Sequence, residues 1–176
     1  MPDDGGRQLS VGRLTAVAVA REMAGACRPP QRTLAGVETL ATFRLFGDAA
    51  LTAAAVTRRL SIQPTYALEA GDQVGHGTAS TRETSAWLLG SAPRPEDGTE
   101  VAAQLQRLLS VLEPVTTHLW DLAHAGYEAN WFCYVASHVT EHAAELDRQT
   151  MQRLLALPGD LWLDVCGDSF DEEEIG

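Results

Sequence analysis

Between Val101 and Leu122 the apolar residues Val101, Leu105, Leu108, Leu112, Val115, Leu119 and Leu122 recur at alternating spacings of four and three, which stacks them on one stripe of a helix. Pro114 has no amide hydrogen and crowds the preceding turn, so this helix is predicted to kink or to split near Glu113. Gly126 supplies the backbone freedom that ends it. The period then changes to two. Tyr127, Ala129, Trp131, Cys133 and Val135 alternate with Glu128, Asn130, Phe132, Tyr134 and Ala136. That is a strand, and because it is apolar on both sides from Trp131 onward it belongs inside a sheet.

The same reading carries along the rest of the chain. Residues 1–36 form an extension with five arginines against three acids, in which an amphipathic helix is predicted from Val11 to Ala26 and ended by Arg28, Pro29 and Pro30. A secretory or lipoprotein signal is not expected there, because Arg21 and Glu22 interrupt the apolar run and acids precede it. Ala41, Phe43 and Leu45 alternate with Thr42, Arg44 and Phe46, a strand closed by Gly47. Asp48 is expected to cap a helix over about residues 50–60, which Gln63 and Pro64 stop. A short strand over 65–68, a glycine-rich connection over 71–83, a strand over 85–89 centred on Trp87 and a proline-rich link over 91–100 follow. Beyond the central strand, 138–144 is polar and aperiodic, and a helix over 145–157 stops at Pro158 and Gly159. In the final strand Leu161, Leu163 and Val165 alternate with Trp162, Asp164 and Cys166. Residues 169–176 are expected to be an acidic, disordered tail.

The resulting order is β-α-β-β-α-β-α-β. With FRLFGD, RRLSIQPTYALEAGD, the Trp87 strand, LLSVLEPVTTHLWDLAHAGYEANWFCYV and TMQRLLALPGDLWLDV in that sequence, residues 38–168 resemble the bacterial family named domain of unknown function 4279. The resemblance implies an architecture and transfers no catalytic residues. The expected fold is one α+β domain over 37–168: a ferredoxin-like unit with an added helix and strand, in a mainly antiparallel sheet with its helices on one face. If Ala41, Phe43 and Leu45 face the helices, Arg44, Phe46, Trp162 and Asp164 share the other face and form a candidate interaction surface.

Charge narrows the function classes. A net charge of −11 argues against nucleic acid and against anionic membrane surfaces. The chain has no lysine, which excludes a phosphate-loop lysine, Schiff-base chemistry and a Ser-Lys dyad. Cys27, Cys133 and Cys166 are widely spaced and odd in number, which predicts reduced, buried thiols in a cytoplasmic protein and not a disulfide framework.

The sharpest chemical motif is HVTEH, in which His138 and His142 lie one helical turn apart as zinc ligands do and Glu141 is placed to activate water. Glu145 is the nearest third ligand. Val139 and Thr140 are poor helix formers, however, so a surface loop is the expected structure. GDSF at 167–170, with Asp121 and His124 as partners, is similar to a serine-esterase block, but the serine follows its partners where it should precede them. No cofactor is therefore expected. The reading favoured by the sequence is a non-catalytic protein-binding or immunity-type module, monomeric or homodimeric. A small metal-dependent hydrolase using His138, Glu141 and His142 is the alternative.

Overall fold

The structure is a computed structural model that describes residues 37–73, 81–91, 100–137 and 143–167. The chain divides between Arg32 and Thr33 into two compact units, and every described residue lies in the second. The helix expected over 11–26 and the tail at 169–176 lie outside the described residues.

The elements are β1 (Val37–Gly47), α1 (Ala53–Leu60), β2 (Tyr66–Leu68), β3 (Ser85–Ser91), α2 (Val101–Leu112), a 3-10 turn (Glu113–Val115), α3 (Thr116–His124), β4 (Glu128–Ser137), α4 (Arg148–Leu155) and β5 (Asp160–Gly167). Pro114 thus splits the long helix at the predicted place. The strands form one sheet in the order β2-β3-β1-β4-β5. β3 and β4 flank β1 antiparallel, β2 is antiparallel to β3, and β5 is parallel to β4. The first four strands have the ferredoxin-like arrangement, because β3 inserts between β1 and β2 and β1 inserts between β3 and β4. A β4-α4-β5 crossover adds the parallel strand, so the sheet is mixed.

One face of the sheet holds the core. Ala41, Phe43 and Leu45 of β1, Trp87 of β3, and Trp131 and Cys133 of β4 pack with Val56, Leu105, Leu109, Leu112, Leu119 and Leu154 of the helices. Phe43 and Trp131 meet with ring centroids 4.8 Å apart. α2 lies over β1 and β3, and α4 packs beside α2. The leucine stripe is buried as its spacing implies, and Gln104 is buried with it. Its Oε1 accepts from the Ala41 amide at 2.9 Å, and its Nε2 donates to Thr39 O at 3.1 Å and Thr39 Oγ1 at 2.7 Å. β3 ends opposite Ala41, so Gln104 takes over the pairing that β3 no longer provides.

Local details differ from the sequence reading at the first helix. Asp48 Oδ1 accepts from the Ala50 amide at 2.8 Å in a turn, and Thr52 is the residue that caps α1. The Glu69 carboxylate accepts from the amides of Ala53 and Ala54 at 3.0 and 2.8 Å, which satisfies two donors of the first turn. At the other end of the domain, Asp147 caps α4 by accepting from the Thr150 amide at 2.6 Å. Gly159 (φ +112°) turns the chain into β5, where a Cβ would stand 3.0 Å from the Ala129 carbonyl. A side chain there has neither the backbone conformation nor the room.

Candidate interaction surface

Register places Arg44, Phe46, Trp162 and Asp164 on the sheet face opposite the helices. Arg44 pairs with Asn130, and Phe132 and Tyr134 pair with Trp162 and Asp164. Arg44 Nε donates to Asn130 Oδ1 at 2.7 Å. The guanidinium carbon lies 4.2, 5.7 and 6.0 Å from the ring centroids of Phe132, Phe46 and Trp162. Arg44 is only 2 % exposed, and its Nη2 has no hydrogen-bond acceptor. Burial lowers its pKa from 12.5 to about 10, with the Cys133 thiol a smaller opposing influence, so it stays cationic at neutral pH. Phe46 is buried as well, whereas Trp162 and Asp164 are half-buried. Arg44, Phe46 and Trp162 are therefore one cluster, an arginine lodged among aromatic rings. Arg44 and Phe46 present no contact area of their own.

The exposed apolar surface lies at the outer edge of the sheet. Leu161, Leu163 and Val165 stand in register with Trp131, Cys133 and Val135 and so point to the helix side, yet they are 39 %, 56 % and 69 % exposed. On α4, Met151 and Leu155 are 46 % and 82 % exposed. They occupy the flank of that helix opposite Arg153, whose guanidinium holds Glu113 at the end of α2 through contacts of 2.6 and 3.0 Å. The Met151 and Leu155 flank is thus turned away from α2. The alternation of β5 was visible in the sequence. Its exposure was not, because alternation cannot tell an edge strand from a covered one.

The remaining candidate chemistry gains no support. His138, Glu141 and His142 lie outside the described residues, and Glu145 is exposed. No group of three metal-binding side chains occurs among the described residues. Ser169 lies outside them, and Asp121 is engaged by Arg59 Nη2 at 2.5 Å, a link between α1 and α3. His118 and His124 are exposed, and the His124 ring lies 6.0 Å from that of Trp120. Cys133 is a buried free thiol that burial pushes up to about 12, with Arg44 a weaker influence downward. Cys166 is disulfide-bonded, which corrects the expectation of reduced cysteines throughout, and Cys27 lies outside the described residues. No helix among the described residues is long and apolar enough to cross a membrane.

The order of elements, the split helix and the Trp-bearing strands have a counterpart among known families, as the profile described as Domain of unknown function (DUF4279) matches residues 37–168. The chain belongs to the DUF4279 family. The match spans the whole sheet of this DUF4279 domain, from the first residue of β1 to just beyond β5. No curated protein and no solved structure matches the chain.

Proposed function

We propose that this DUF4279 domain is a non-catalytic protein-binding module of the immunity type, which acts by occupying a partner and carries out no reaction on it. The observation that carries the reading is the row of exposed apolar side chains on β5, Leu161, Leu163 and Val165. Large apolar side chains gathered on one edge are costly to leave in water, and such patches mark sites of protein contact. Two further features support it. The net charge of −11 favours a basic protein partner over nucleic acid or an anionic membrane. The thiol nearest the Arg44 cation, Cys133, is buried and pushed up to about 12, so the cluster suits packing better than catalysis. The disulfide at Cys166 weighs against a reducing compartment as the setting.

The test is affinity capture by the full chain beside its Leu163→Glu variant. Leu163 is more than half exposed, so the variant is expected to fold, which circular dichroism checks. A protein held by the native chain and released by the variant is the expected result. Identical captures from both would remove the edge as the binding site.

A further inference from the structure

The helix layer of the domain does not extend evenly over its sheet. Among the described elements, α1 and α2 pack over β1 and β3, and α4 packs against α2. α4 has eight residues, about 12 Å of helix, whereas the eight residues of β5 span about 26 Å. The helix-side row of β5 is left exposed, and its exposure rises along the strand from Leu161 through Leu163 to Val165. Asp160, Trp162, Asp164 and Cys166 project to the other face. The disulfide of Cys166 therefore belongs to that face, and the row is exposed with the bond in place.

Charge is as uneven as the covering. Between Leu154 and Gly176 the chain has seven acids and no lysine or arginine, and five of the acids follow Val165 within nine residues. Connectivity keeps that negative charge within reach of the most exposed end of the row.

We propose that this row is the seat of a basic amphipathic helix supplied by a protein partner, which completes the helix layer over β5. This rests on the reading of the domain as a protein-binding module and names the element the partner supplies. Leu161 to Val165 spans roughly 13 Å, the length of about two and a half helical turns, so partner residues at spacings of three and four meet the whole row. Arginine or lysine on the flanks of that stripe meets the acids that follow the row in the chain. A second copy of this chain brings a second acidic stretch to the same place, and an anionic lipid surface is repelled in the same way.

The experiment titrates the full chain, its disulfide intact, with three synthetic peptides of about 18 residues. The first carries leucines at helical spacing on an arginine background. The second has the same composition with the stripe scrambled, and the third places a proline mid-helix on the basic side of the first. The first is expected to bind by calorimetry, to shift the methyl NMR signals of Leu161, Leu163 and Val165, and to weaken several-fold as salt rises from about 0.05 to 0.3 M. Scrambling and the proline should each weaken it about tenfold or more. Leu163→Ser removes an apolar contact without changing charge and should do the same, and Val165→Ser repeats the test at the most exposed position. Circular dichroism checks that both variants fold. Vesicles of anionic lipid should leave the methyl signals unmoved.

A scrambled peptide that binds as well as the first overturns the proposal, because charge alone then holds it. A proline peptide that binds as well overturns the helical mode. Serine variants that bind the first peptide as tightly as the native chain, or a first peptide that leaves the three residues unshifted, overturn the seat, and vesicles that shift them make the occupant a lipid surface. In each case the protein-binding reading stands or falls separately, on whether Leu163→Glu releases the captured protein. A chain that is dimeric by sedimentation without peptide, with the row buried in the dimer, also overturns the proposal, for the occupant is then a second copy.

Discussion

Arg44 carries a positive charge into a site where no carboxylate among the described residues meets it. Three aromatic rings and one amide oxygen replace its hydration, and Nη2 is left without an acceptor. A buried charge in this position is costly, while its long stem fills space among Phe46, Phe132 and Trp162. The two contributions can be separated. Arg44→Met keeps the volume and removes the charge, so denaturant unfolding should place it within about 1 kcal/mol of the native chain. Arg44→Ala leaves a void and should lose about 2–4 kcal/mol. Equal losses would show that the charge itself is stabilising. Gln104 is the opposite case, a neutral polar group whose hydrogen bonds are made to Ala41 and Thr39. Gln104→Leu strands a buried amide and a carbonyl and should lose about 2 kcal/mol or more by the same measurement. The exposed Gln152→Ala should stay within about 0.5 kcal/mol. Periodicity alone placed position 104 beside the leucine stripe; that the residue there must be a glutamine follows from where β3 ends.

At the scale of elements, the joint between α2 and α3 shows a local signal completed by a distant one. Pro114 breaks the helix, and Arg153 from α4 then clasps Glu113 at the break through two hydrogen bonds. The Arg153 hydrogen bonds hold the Glu113 carboxyl below its ordinary value of 4.5, burial opposing. Because the folded value lies below the unfolded one, the pair's contribution is fully present above about pH 4.5 and is lost as pH falls through the depressed value. Glu113 is partly exposed, so solvent screening keeps the contribution below about 1 kcal/mol. Thermal melts of the native chain and Glu113→Gln should therefore differ slightly at neutral pH and converge in acid. A gap that persists at low pH would mean the pair is not its source. The start of α1 shows the limit of local reading. Asp48 and Thr52 are both good caps ahead of an alanine-rich run, and the carboxylate of Glu69, brought in from beyond α1, accompanies the choice of Thr52.

For the whole molecule, stability should grade across the sheet from centre to edge. β1 is hydrogen-bonded on both sides and its Ala41, Phe43 and Leu45 are fully buried, whereas β5 pairs among the described residues with β4 alone and exposes its apolar residues. Amide exchange in the native chain is expected to be slowest in β1 and β4 and clearly faster in β5, as local opening is cheapest where contacts are fewest. Uniform protection across all strands would contradict this gradient. The gradient also bears on function, since the strand proposed to receive a partner is the one the domain itself stabilises least.

The sequence by itself determined the elements, their order, the split at Pro114, the strand buried between neighbours and the face each β1 residue takes. These follow from side-chain period and from the backbone limits of proline and glycine, which act within a few residues. Only the tertiary structure decided that Arg44 would be enclosed by rings from three strands, that Gln104 would stand in for a missing strand, and that Leu161, Leu163 and Val165 would lack a cover. Each of these depends on which elements become neighbours and where each one ends. A residue's own period carries no record of that, because leucines on a covered strand and on an open edge alternate in the same way.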